Sequence, residues 1–129
     1  MAGELILVVE DNEKNRKLVR DVLVHEGYRL LETENGEEAV RLAQAQRPAL
    51  ILMDIHLPGI DGIEALRRLR ADAGTRDIPV LAVTASAMTH DRQKILAAGF
   101  DGYQSKPISV RPFLAAVRET LDRAAGGRA

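Results

Sequence analysis

The sequence predicts an α/β fold in which a doubly wound parallel sheet carries helices on both of its faces. Three observations predict it. Short apolar runs at residues 4–9, 50–53 and 80–84, the first and last rich in β-branched residues, read as strands covered on both sides. Stretches with apolar residues at helical spacing separate them, and parallel strands need such crossovers. Apolar residues make up 46% of the chain but aromatic residues only 3%, so the core must be built from Leu, Ile, Val and Ala.

The elements follow in strict alternation. After the first strand at 4–9, Leu18, Val19, Val22 and Leu23 recur at helical spacing over 12–26, with Asn12 as cap and Gly27 as stop. A strand at 28–33 precedes a helix that Asn35 caps and that runs to Gln46. The apolar run 50–53 is the third strand and ends at Asp54. A helix over 62–70 turns Ile63, Leu66 and Leu69 inward, and a fourth strand follows Pro79. Thr89 can cap a helix through Ala98, and a short strand occupies 102–105. The last helix, 109–123, presents Phe113, Leu114, Val117 and Leu121 on one face, with Pro112 in its first turn, where a missing amide proton matters little. Residues 1–123 are thus expected to form one domain, and 124–129 a disordered tail.

Composition narrows the function. The 129 residues suffice for a single core. With 18 basic and 19 acidic residues interspersed and a net charge of -1, the chain offers no field of one sign to attract nucleic acid or an anionic membrane. It has no cysteine, which excludes disulfides and thiol chemistry and makes the cytoplasm the expected compartment. No basic leader with a long apolar run opens it, and no stretch approaches the ~18 apolar residues of a spanning helix.

Ligands of open α/β sheets bind at the carboxyl ends of the strands, where strand order reverses. Glu10 and Asp11 follow the first strand, Asp54 the third, Thr84 ends the fourth and Lys106 follows the fifth. Taken singly, each is ordinary: an Asp after a strand is usually a turn former or cap, a Thr a strand residue and a Lys a solvated charge. Together they are not, because carboxylates from neighbouring strands repel unless a cation sits between them. A metal ion and Lys106 could supply that charge.

The segments VVEDN (8–12), LILMDIHLPGIDG (50–62), VTAS (83–86) and YQSKPIS (103–109) resemble the receiver domains of bacterial two-component response regulators, and the resemblance covers nearly the whole chain. It implies a flavodoxin-like sheet of order 2-1-3-4-5. It also implies that Asp54 accepts a phosphoryl group from a histidine kinase, a hybrid kinase or a phosphotransfer protein. Mg²⁺ would be the cofactor, held by Asp11 and Asp54, by Glu10 through water and by the main-chain carbonyl of His56. Lys106 would pair with a phosphoryl oxygen, and a cis Lys106-Pro107 bond would aim it. Thr84 would donate its hydroxyl to the modified Asp54, with the small Ala85 leaving room for the phosphoryl group to enter. Gly62 would permit the turn after the loop containing Pro58 and Gly59.

Tyr103 would then swing inward with Thr84 as a switch, although a Tyr at a strand edge is as readily a half-buried amphipathic residue. The message would pass to a downstream protein through the face made by the fourth helix, fifth strand and fifth helix. The chain is similar to single-domain regulators of cell-division control, so it is expected to act as a phosphoprotein rather than a turnover enzyme, as a monomer or weak homodimer, and without an output domain. His56, two residues after Asp54, and Ser86, two after Thr84, stand where the family tunes phosphoryl lifetime, which leaves that lifetime open. The His56 ring itself could be solvent-facing, a partner contact or a metal neighbour.

Rival classes fit less well. A haloacid-dehalogenase phosphatase needs two Asp residues two apart after its first strand, which Glu10-Asp11-Asn12 does not offer. No strand is followed by a G-x-G-x-x-G turn or a P-loop, as a nucleotide-binding protein would require. A helical phosphotransfer bundle using His25, His56 or His90 conflicts with the strand runs. The alternative from another class is a receiver-fold adaptor that binds partners without being phosphorylated.

Overall fold

The computed structural model describes residues 3–85 and 89–126, with 89–91 and 126 described by their backbone only. The element order is β1 (Leu5–Val9), α1 (Glu13–His25), β2 (Arg29–Thr33), α2 (Gly36–Gln46), β3 (Leu50–Met53), α3 (Gly62–Ala71), β4 (Val80–Thr84), α4 (Thr89–Ala97), β5 (Gly102–Ser105) and α5 (Val110–Gly126). All strand pairs are parallel, in the order β2-β1-β3-β4-β5. The chain leaves β1 toward one edge and returns to its other side at β3, so strand order reverses between those two strands.

Alternation along the strands feeds two separate cores. Leu7, Val9, Ile51, Met53, Val80 and Ala82 face one side, where Ala39 and Ala43 of α2, Leu66 and Leu69 of α3 and Ile95 of α4 cover them. Ile6, Val8, Leu50, Leu52, Leu81 and Val83 face the other, under Val19 and Leu23 of α1 and Phe113, Val117 and Leu121 of α5. Successive side chains point to opposite faces of a pleated strand, so an unbroken apolar run serves both layers.

Local signals set the helix starts. Asn12, Asn35 and Asp61 each accept from the backbone N–H three residues on, satisfying a donor that a helix N-terminus leaves open. Gly27 adopts φ +94 after α1, a conformation that favours glycine.

Three expectations need correction. Leu18, assigned to the buried face of α1, is 41% exposed, because it lies at the margin of a stripe centred on Val19 and Leu23. Thr89 is the first residue of α4 rather than the residue before it, and its side chain lies outside the described part, as do the His90 side chain and all of Ser86. The last helix does not stop at Arg123. It continues through Ala124 and Ala125 to Gly126, since alanine is the strongest helix former, while residues 127–129 of the expected tail lie outside the described part.

At the end of the sheet away from Asp54, Arg118 of α5 donates to Glu4 (Nη2 to Oε2, 2.7 Å) and to the Tyr28 hydroxyl (3.4 Å). The guanidinium holds the Glu4 carboxyl below the usual carboxylate range.

Candidate functional site

The connection from β1 to α1 is short and tightly tied. The Glu10 N–H donates to the Thr33 carbonyl (3.0 Å), the Glu10 carbonyl accepts from Arg16 Nη1 (2.9 Å) and Glu10 Oε2 accepts from the Asn12 N–H (3.1 Å). Across the switch point, the Asp54 N–H donates to the Val9 carbonyl (3.0 Å), which sets the two strand ends side by side. Glu10, Asp11 and Asp54 each bring a carboxylate oxygen to within 4.8 Å of the others. Glu10 and Asp54 are buried at 4% and 6% exposure, whereas Asp11 is open to solvent. The cluster is reached from one side.

Lys106 closes it. Its ammonium donates to Asp54 Oδ2 at 2.9 Å and pairs with Glu10 Oε1. Its backbone N–H donates to the Thr84 carbonyl (2.9 Å), which seats the fifth connection against the end of β4, and the Lys106-Pro107 bond is cis. Burial is the strongest influence on Lys106 and pulls its pKa down, yet the bonds from Asp54 and Glu10 together outweigh it and hold the amine charged above its ordinary value. Glu10 moves upward. Burial is the main cause, Asp54 adds repulsion, and one ammonium shared by two carboxylates offsets only part of it.

The remaining sequence candidates fall around this core. Thr84 is fully buried at the end of β4. Tyr103 pairs with Ala82 across β4 and β5, and is half-buried against the core on the α2–α4 side. The His56 N–H donates to Asp54 Oδ1 (3.2 Å), while the His56 residue is exposed. Gly62 packs its Cα against the Asp54–Ile55 backbone so closely that an added Cβ would stand 2.4 Å from the Asp54 carbonyl oxygen. The expected reason for Gly62 was turn flexibility; the structure shows close backbone approach instead.

Arg16 was not foreseen as part of the site. Its guanidinium bonds the Glu10 carbonyl and lies 3.4 Å from Glu34 Oε1 and 3.6 Å from Glu32 Oε1, with the side chain only 15% exposed. The available signal was a basic residue one helical turn beyond the Asn12 cap, directly after an acidic strand end.

An all-oxygen cluster of this kind suits a hard divalent cation, which is bound by carboxylates and water rather than by nitrogen or sulfur donors. Among the described residues, no helix is long and apolar enough to cross a membrane.

Known proteins resemble this chain in sequence and fold. The chain is 47% identical to the polar-differentiation response regulator DivK of Brucella anthropi over 116 residues, which is 90% of this chain and 94% of that protein. Its structure is similar to the receiver domain of a sensor histidine kinase from Pseudomonas aeruginosa PAO1, with TM-score 0.87, 38% identity and coverage of 93% of this chain and 98% of the other. That receiver was crystallised with a magnesium ion coordinated in its active-site cleft. A CheY-like response regulator receiver domain protein from Methanospirillum hungatei JF-1 matches with TM-score 0.86 and 26% identity over 97% of this chain and 98% of the other. A family model for the response regulator receiver domain matches residues 6–118, which include the acidic cluster, Thr84 and Lys106, and the chain belongs to that family.

Proposed function

We propose that the chain acts as a phospho-acceptor module in the cytoplasm, in which Asp54 takes a phosphoryl group from a phosphohistidine of a histidine kinase, a hybrid kinase or a phosphotransfer protein. One carboxylate oxygen of Asp54 attacks phosphorus, the P–N bond breaks, the imidazole leaves and an acyl phosphate remains. The observation that carries this reading is the Lys106 ammonium against Asp54 Oδ2, with Glu10 and Asp11 beside it. A carboxylate approaching a phosphoryl group meets like charge, so the rate depends on fixed positive charge and on alignment.

Each residue has a part in that task. Lys106 holds Asp54 in place and offers its ammonium to a phosphoryl oxygen. The His56 N–H orients the other Asp54 oxygen. Glu10, Asp11 and Asp54, with the His56 main-chain carbonyl as a further donor, fit Mg²⁺, which when bound supplies charge against the carboxylate and phosphoryl oxygens. The same groups serve self-phosphorylation from small donors and later hydrolysis, in which water attacks the acyl phosphate and Asp54 is regenerated.

Incubation with acetyl phosphate and Mg²⁺ followed by intact mass tests the acceptor. The wild type gains the mass of one phosphoryl group, and Asp54→Asn gains none. Equal gain in both would place the acceptor elsewhere, and no gain in either would favour an adaptor that works unphosphorylated.

The output is a shift of Thr84 toward the phosphoryl group and of Tyr103 into the core, which reshapes the α4-β5-α5 face for a downstream protein or a weakly associating second copy. Support comes from position: Thr84 is buried beside the Lys106 connection, and Tyr103 is half-buried on the adjacent strand. Beryllofluoride with Mg²⁺ is expected to move the amide resonances of both Thr84 and Tyr103. Unchanged resonances under saturating beryllofluoride would remove the switch.

A further inference from the structure

We infer that Arg16 is a positioning residue for the metal-binding carboxylates, acting through the Glu10 carbonyl; this rests on the Mg²⁺ reading above. The turn between β1 and α1 contains only Glu10, Asp11 and Asn12. Several of its polar groups are tied locally: the Glu10 N–H to the Thr33 carbonyl, the Asn12 N–H to Glu10 Oε2, Asn12 Oδ1 to the Asn15 N–H and the Asn12 carbonyl to the Arg16 N–H. The Glu10 carbonyl is held by a side chain, Arg16 Nη1 at 2.9 Å.

That carbonyl belongs to the peptide joining Glu10 to Asp11, so holding it fixes the N–Cα bond from which the Asp11 side chain is presented. Asp11 is exposed, and packing does not aim it. Glu32 and Glu34 hold the guanidinium from the β2 side, at 3.6 and 3.4 Å, while its side chain is 15% exposed. Arg16 therefore ties the metal-site turn to the neighbouring strand. Groups that orient metal-binding side chains from outside the coordination shell typically change affinity about 10- to 100-fold when removed.

The sign of the effect separates this role from simple electrostatics. Arg16 is a cation near an anionic cluster, so deleting its charge should strengthen Mg²⁺ binding if charge alone mattered. A positioning role requires the opposite. Mg²⁺ titrations followed by amide resonances are expected to give Arg16→Met a Kd about tenfold above wild type, with Arg16→Lys in between because an ammonium reaches the carbonyl without the planar fork. Arg20→Met is the control. It breaks the Arg20–Glu32 pair (2.9 Å) without touching the Glu10 carbonyl, and should leave Kd unchanged even if the melting temperature falls.

A Kd for Arg16→Met equal to or below wild type would overturn the inference, as would a rise matched by Arg20→Met. Should Arg16→Met fail to fold, Arg16→Lys carries the test, and its Kd must still exceed that of Arg20→Met. Failure of wild-type protein itself to bind Mg²⁺ would instead remove the reading on which the inference rests.

Discussion

Lys106→Met is expected to be the most damaging single change in the site, and the damage should be partly reversed by Mg²⁺. In the folded protein the ammonium contacts two carboxylates, with side-chain exposures of 11% for Lys106, 5% for Glu10 and 8% for Asp54. Removing one member of a buried ion pair costs about 3–5 kcal/mol, because the remaining charge is stranded away from water. Here two like charges would be stranded together. The cluster opens to solvent on the Asp11 side, which places the loss near the lower end of that range.

For a domain of this size about 3 kcal/mol corresponds to a fall in melting temperature of roughly 10 °C. Thermal melts in metal-free buffer should show it. Addition of Mg²⁺ should then raise the melting temperature of Lys106→Met more than that of wild type, because the uncompensated carboxylates gain more from a cation. Phosphorylation by acetyl phosphate should slow by about two orders of magnitude, the size of loss that follows removal of one preorganised donor from a developing negative charge. A variant that melts with wild type in the absence of metal would show that Lys106 does not carry the charge balance described.

Gly62→Ala tests the backbone beneath Asp54. Gly62 is buried, opens α3 and donates its N–H to the Ile55 carbonyl at 2.8 Å. A Cβ there meets the Asp54 carbonyl oxygen at 2.4 Å and Ile55 Cα at 2.9 Å. Both are main-chain atoms, so no flexible side chain can yield; either α3 retreats or the strand end moves. Overpacking of this kind costs about 1–3 kcal/mol, and backbone neighbours place it at the upper end. The shift also displaces Asp54, so Mg²⁺ affinity should fall along with stability. Gly74→Ala makes the comparison, since its added Cβ meets only the ends of flexible side chains, Asp72 Oδ2 at 3.3 Å and Arg47 Nη2 at 3.5 Å, and should change neither property much. Similar melting temperatures for the two variants would contradict the close approach seen at Gly62.

The parts of this architecture that could be read in the sequence are those set by neighbours along the chain. Apolar runs such as 50–53 announce buried strands, and Asn12 and Asn35 cap their helices because capping needs only three residues of context. The acidic cluster was visible because strand ends in this fold class collect on one edge, so Glu10, Asp54 and Lys106 could be assigned a common place before their distances were known. What could not be read depends on the chain's path in space. Whether Leu18 packs or faces solvent depends on how α1 rolls against β1 and α5. Arg70 ties α3 to the Ile78 carbonyl ahead of β4 and to Asp101 (3.0 Å), and Asp101 in turn accepts the Val80 N–H (2.8 Å). Nothing in the spacing of those charges distinguishes them from solvated ones. Arg16 is the same case: its value lies in a carbonyl, which every residue possesses.

The bond from Arg118 to Glu4 bears on how the molecule can be handled. It brings the segment just before β1 alongside the later turns of the last helix, at the pole of the sheet remote from Asp54. A fluorophore attached to the exposed surface beside that pair would therefore sit far from the acceptor carboxylate and leave its approach clear.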